Sequence, residues 1–166
     1  MWLMGPKVLV LGLGNVIMTD DGLGIYALRK LKEKGLPWEV GVLEVGTSVM
    51  DFLEEMGKTA NLIAIDAIVA GHPPGTIYRI DDLMEFSRDV ESVTGHDIGL
   101  LEAVSLSRQF WGYPDRVSVF GVEPKSCAVG MGLTPRVHRA LSKLIKLIDS
   151  EIEMLLRHER AGIEHA

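Results

Sequence analysis

Three side chains stand out for what they could do together: Asp21, Asp66 and His96. Two carboxylates and one imidazole offer three ligands to a divalent ion and leave room for water or a substrate group. Such a set suits Zn, Ni or Fe better than Ca or Mg. Asp66 closes the apolar run Leu62-Ile63-Ala64-Ile65 and is followed by Ala67-Ile68-Val69, so its charge falls in dry surroundings. A carboxylate there needs a cation, a donor cluster or a shared proton, because burying it alone costs several kcal/mol. The plainer alternative is an Asp that simply ends a strand. Asp20 and Asp21 open a helix whose positive end stabilises carboxylates, and at least one of them is expected to serve as a cap. His96, in Thr94-Gly95-His96-Asp97, also precedes a helix. That dipole disfavours imidazolium and keeps the ring neutral and able to bind metal, although a lone loop histidine is often only a surface residue.

The elements that must position these groups follow from the apolar pattern. Residues 7–12 are continuously apolar after Lys7, as in a strand covered on both faces of a parallel sheet. Thr19 or Asp20 is placed to cap a following helix, in which Leu23, Ala27, Leu28 and Leu31 recur at helical spacing until Gly35 and Pro37. Residues 39–45 predict a second strand, 48–57 a second helix and 61–66 a third strand, which together make a βαβαβ core. Only the short loop 71–75 separates Asp66 from the next strand, 76–80, so that strand is expected to run antiparallel. Residues 97–111 predict a helix with Ile98, Leu101 and Val104 inward, and 116–122 the last strand. Thr134-Pro135 then starts a long amphipathic helix carrying Val137, Leu141, Leu144, Ile145, Ile148, Ile152 and Leu155, with frayed residues from 160 onward. If the first strand lies between the second and third, Asp21 and Asp66 emerge from adjacent strands at the crevice where open α/β sheets bind ligands.

Other chemistries are excluded. Gly12-Leu13-Gly14 begins like a dinucleotide fingerprint, but the third glycine falls at Ile17, and no Gly-Lys-Ser/Thr follows to make a P-loop. The two glycines instead allow a sharp turn and close backbone approach, with Asn15 fixing the loop through its amide. At 166 residues with 47 % hydrophobic content, the chain fills one substantial core, so a single domain over 1–166 is expected. A formal net charge of -6 repels a phosphate backbone, which argues against nucleic acid. One cysteine, Cys127, excludes an internal disulfide, fits a reducing compartment and reads as a small packing residue. The apolar opening is broken by Gly12, Gly14 and Asn15, lacks a cleavage site, and no apolar run reaches the roughly 18 residues that span a bilayer. A cytoplasmic protein without membrane insertion is expected.

In register along the chain stand Val10-Leu11-Gly12-Leu13-Gly14-Asn15, Thr19-Asp20-Asp21-Gly22-Leu23-Gly24, Ala64-Ile65-Asp66-Ala67, Gly95-His96-Asp97-Ile98-Gly99-Leu100, Phe120-Gly121-Val122-Glu123-Pro124 and Gly132-Leu133-Thr134-Pro135. Each motif is weak by itself. Jointly they make the chain resemble the hydrogenase maturation endopeptidases, which trim the large subunit of [NiFe] hydrogenases. The resemblance implies a three-layer α/β/α fold with a five-stranded mixed sheet and one antiparallel strand. It places the metal-contacting and catalytic positions on Asp21, Asp66 and His96, where some relatives have Glu in place of Asp21. It implies as substrate a nickel-loaded large-subunit precursor that loses a C-terminal peptide, so nickel arrives with the substrate and Zn or Cd are other occupants. The three side chains would complete the coordination of that nickel, with Asp66 or Asp21 alternatively acting as general base. The rival readings are a nickel-binding assembly chaperone that holds the subunit without cutting it, a nucleotide-binding module, and a general peptidase.

Overall fold

Strands without polar residues become the middle of a sheet, because only burial on both faces tolerates them. The computed structural model describes residues 5–81, 83 and 95–163, and of these the side chains of 95–98 and 162–163 are outside the description. Five strands, β1 (Val8–Leu13), β2 (Val40–Gly46), β3 (Asn61–Ala67), β4 (Ile77–Ile80) and β5 (Arg116–Val122), lie in the order β2-β1-β3-β5-β4. All neighbours are parallel except β4 and β5, which pair antiparallel with Tyr78 opposite Gly121. The expected mixed sheet with one antiparallel strand is therefore present. Every residue of β1 and β3 is buried.

Strand alternation divides the core in two. Val8, Val10, Ile63, Ile65, Phe120 and Val122 face helices α1 (Leu23–Lys34) and α4 (Pro135–Ile163), whose Leu28, Leu31, Leu144 and Ile148 are fully buried against them. Leu9, Leu11, Leu62, Ala64, Val117 and Val119 face α2 (Leu53–Gly57) and α3 (Gly95–Trp111). The stripe predicted on the last helix is core-facing, with Ile145 only partly buried.

Three local expectations need correction. The helix expected over 48–57 is a 3-10 turn, Val49–Phe52, followed by the short α2; the Asp51 N–H to Ser48 carbonyl bond of 3.1 Å closes its tighter ring. In α3 the buried stripe is Leu100, Ala103, Val104 and Ser107, whereas Leu101 is half-buried; Ser107 Oγ donates to the Leu53 carbonyl at 3.1 Å and turns that face toward α2. The expected inward side chain of Ile98 lies outside the described residues. The last helix continues through Arg160, whose guanidinium holds buried Glu39 at 2.8 Å, so fraying does not begin there.

Candidate functional site

The chain leaves β1 to build β2 on one side and returns to build β3 on the other, so a crevice opens at the carboxyl ends of β1 and β3. Two loops and the end of β3 meet there. Gly14 has φ of +100°, and its N–H donates to the Gly46 carbonyl at 2.9 Å, tying the turn after β1 to the turn after β2. A Cβ at Gly14 would lie 1.7 Å from the Asp21 carbonyl oxygen and 3.5 Å from Asp66 Oδ1, so only glycine lets these two segments close on one point. Asn15 acts as expected, its side-chain oxygen accepting the Ile17 N–H at 3.1 Å. Close helix packing, lost with the third glycine of the broken fingerprint, is supplied by Gly24: a Cβ there would sit 2.2 Å from the Ile65 carbonyl.

The adjacent aspartates have different employment. Asp20 is fully buried. Its Oδ2 accepts from Lys125 N–H (2.9 Å), Ser126 N–H (3.1 Å) and the Thr134 hydroxyl (2.8 Å), and its Oδ1 accepts from Thr134 N–H (2.7 Å). It fastens the loop that runs from β5 to α4 and caps no helix of its own. Neither the 3-10 turn Thr19–Gly22 nor α1 has a side-chain cap, which corrects the capping expected of Thr19 or Asp20. Thr19 instead donates its hydroxyl to the Ala128 carbonyl and takes φ of +51°. A β-branched residue in that region is strained, and it is held by the Thr19 N–H to Gly130 carbonyl bond of 2.9 Å. The result is a chain reversal that buries Asp20 and leaves Asp21 half-buried, its Oδ2 accepting the Asn15 N–H at 2.8 Å.

Asp66 is 2 % exposed, and its Oδ1 accepts the N–H of Ala67 at 2.8 Å. By alternation it shares the face of Leu62 and Ala64, the face covered by α3. That helix carries His96 in its first turn, and Gly99, three residues on, packs against Val49 at the carboxyl end of β2. The backbone of His96 is thus delivered to the same edge as the two aspartates; its side chain lies outside the described residues. Among the described residues no group of three His, Cys, Asp or Glu side chains is assembled to hold a metal.

Two further groups shape the crevice. Glu123, 4 % exposed, accepts the N–H groups of Ala70 (2.9 Å) and Gly71 (3.2 Å) and the Tyr78 hydroxyl, which fixes the loop following Asp66. Burial pushes its pKa up, but these donors and the His72 N–H outweigh that and hold it below the ordinary carboxylate value. The Tyr78 hydroxyl is correspondingly pushed up by burial and by Glu123. Glu123 ends an apolar strand just as Asp66 does, and that same signal marks it in the sequence. Cys127 is exposed, which corrects its reading as a packing residue. Partial desolvation of its thiol and the negative charges of Asp21, Asp20 and Asp66 push its pKa up.

Known proteins share this arrangement of elements. The chain is 31 % identical over 144 residues to the Hydrogenase 2 maturation protease of Escherichia coli (strain K12), covering 86 % of this chain and 88 % of that one. It is 28 % identical over 145 residues to the hydrogenase expression/formation protein HupD of Thiocapsa roseopersicina, covering 86 % of this chain and 66 % of the relative. The solved structure of the hydrogenase maturating endopeptidase HybD from E. coli superposes with a TM-score of 0.81 at 30 % identity, over 89 % of this chain and 93 % of that one. HybD from Thermococcus kodakarensis gives a TM-score of 0.73 at 27 % identity, over 87 % and 97 %. A family model described as HycI, hydrogenase maturation protease, matches residues 25–151, a span that takes in Asp66 and His96 and begins just after Asp21. With sheet order, motifs and relatives in agreement, the chain belongs to the hydrogenase maturation protease family.

Proposed function

We propose that this protein is an endopeptidase that removes the C-terminal extension of a nickel-loaded [NiFe] hydrogenase large-subunit precursor. The observation that carries this reading is that the turn following β1, which carries Asp21, closes on Asp66 at the end of the adjacent β3 in the switch-point crevice, with Asp66 almost wholly buried. Family membership supports the endopeptidase class.

The donor chemistry suits a divalent ion: the backbone of Asp21 and the carboxylate of Asp66 close on one turn, and a helix delivers an imidazole-bearing residue to the same edge. Asp21, Asp66 and His96 are the residues that would hold it. Nickel belongs here to the substrate, and when bound it supplies Lewis acidity toward a carbonyl or a water. The chain's own part is positional. Asn15 N–H holds the Asp21 carboxylate, Ala67 N–H holds that of Asp66, and Glu123 fixes the loop beyond it. A crevice so fastened keeps its acids aimed before substrate arrives, which limits the reorganisation needed at the reacting bond. Asp21, the more exposed acid, is the better placed to take a proton from an entering water.

The test mixes the purified protein with nickel-loaded and nickel-free precursor and weighs the products by intact mass spectrometry. Loss of a C-terminal peptide from the loaded form alone is expected. Equal cleavage of both forms eliminates nickel gating, and an unchanged mass for both supports a carrier that does not cut.

A further inference from the structure

An apolar rim adjoins the acid-bearing turn. Ile17, Val129 and Met131 are 53 %, 84 % and 74 % exposed, high values for large apolar side chains in a chain with so well filled a core. They belong to two short segments held side by side: Met18 bridges Gly130 in parallel, the Gly130 N–H donates to the Ile17 carbonyl at 2.9 Å, and the Thr19 N–H donates to the Gly130 carbonyl. That register sets Ile17 beside Val129 and Thr19 beside Met131. Gly130 spends both backbone groups on this pairing, whereas those of Val129 and Met131 make no hydrogen bond among the described residues. The rim is not loose, because Asp20 holds Lys125 and Ser126 on one side of it and Thr134 on the other, and Tyr26 Oη accepts the Gly132 N–H at 3.1 Å.

Exposed apolar side chains on a fixed segment with unspent backbone groups are what an extended polypeptide needs as a partner: main-chain bonds for affinity, apolar contacts for selection. The occupant follows from continuity. A scissile bond seated at Asp21 and Asp66 has residues on both sides of it, and the chain must pass over whatever borders the acids. The segment 128–130 is bonded directly to Thr19, two residues from Asp21. We infer that the Val129–Met131 edge, with Ile17, binds an extended apolar stretch of the precursor flanking the cleaved bond. This rests on the endopeptidase reading and adds to it the place and chemistry of recognition.

The test uses Val129→Ser with Met131→Ser in the full chain, against the large-subunit precursor of the same organism carrying its C-terminal extension. KM should rise on the order of tenfold when two such contacts are lost. Both side chains are more than two-thirds exposed, so the thermal midpoint should stay within the small range of surface substitutions. Phe110→Ser, removing an equally exposed apolar side chain from the far end of α3, should leave KM unaltered. Binding of the same precursor to Asp66→Asn, with and without the two serines, separates docking from cutting. Weaker binding with the serines supports the rim even where the unaltered protein fails to cut, an outcome that sinks the endopeptidase reading alone. A KM and an affinity within twofold of the parent, or an equal loss in Phe110→Ser, overturn the rim.

Discussion

Asp20→Asn and Asp21→Asn should behave as opposites although the residues are neighbours. Asp20 accepts four donors in a fully buried position, three on Oδ2 and one on Oδ1. An amide has one acceptor oxygen. If that oxygen keeps the place of Oδ2, its NH₂ group confronts the Thr134 N–H across 2.7 Å; flipped, it confronts Lys125 and Ser126 instead. At least one buried N–H is orphaned, at about 1 to 3 kcal/mol, and the remaining bonds lose their charge assistance. The expected loss is about 2 to 4 kcal/mol, which lowers a urea midpoint by about 1 to 2 M for a slope near 2 kcal/mol/M. Asp21 is half-buried, and an amide oxygen can still take the Asn15 N–H, so Asp21→Asn should cost less than about 1 kcal/mol while abolishing processing. Urea unfolding followed by circular dichroism, with intact-mass assay of each variant, reads both quantities. An Asp20→Asn protein as stable as the parent, or an Asp21→Asn protein destabilised as much as Asp20→Asn, refutes this division of roles.

Gly14→Ala should lower the melting temperature and processing together, since its Cβ would overlap the Asp21 carbonyl and its φ is positive; unchanged calorimetry would contradict the close approach. Glu123 has its folded-state pKa lowered from 4.5, so its contribution to stability is complete above that value and fades as pH falls through the lower folded value. Glu123→Gln should accordingly flatten the acid limb of stability against pH, and an unaltered acid limb would show that the Ala70–Gly71 clamp is not held by charge. Cys127 should alkylate more slowly than a free thiol at about pH 7.5, and faster in Asp21→Asn, because a nearby carboxylate disfavours the thiolate. Ile148→Ala, a fully buried truncation on α4, should cost about 2 to 5 kcal/mol by chemical denaturation.

The sheet was legible because its central strands carry no polar residue until their ends, and a short loop after Asp66 forced β4 to turn back. The end of the last strand, the start of α4 at Pro135 and the burial of its stripe follow from equally strong local signals. The face of α3 was not legible: Leu100 and Leu101 are both apolar, and the choice between them is made by contacts with Val49 and Leu53, which are distant in sequence. The same holds at the site. Asp66 announces itself as a charge ending an apolar run, and Asp21 lies in a loop that glycines mark. What separates Asp20 from Asp21 is a set of backbone donors more than a hundred residues away, a signal that no local pattern carries. Cys127 misled for a related reason, because the loop that holds it is exposed yet pinned by Asp20 through the Lys125 and Ser126 N–H groups.

A crystal soaked in nickel puts the central claim to its most direct test. Anomalous density within about 2.0 to 2.3 Å of carboxylate oxygens of both Asp21 and Asp66 and of an imidazole nitrogen of His96 is the predicted result. An imidazole turned to another face of the molecule, or nickel bound elsewhere with this crevice empty, contradicts it.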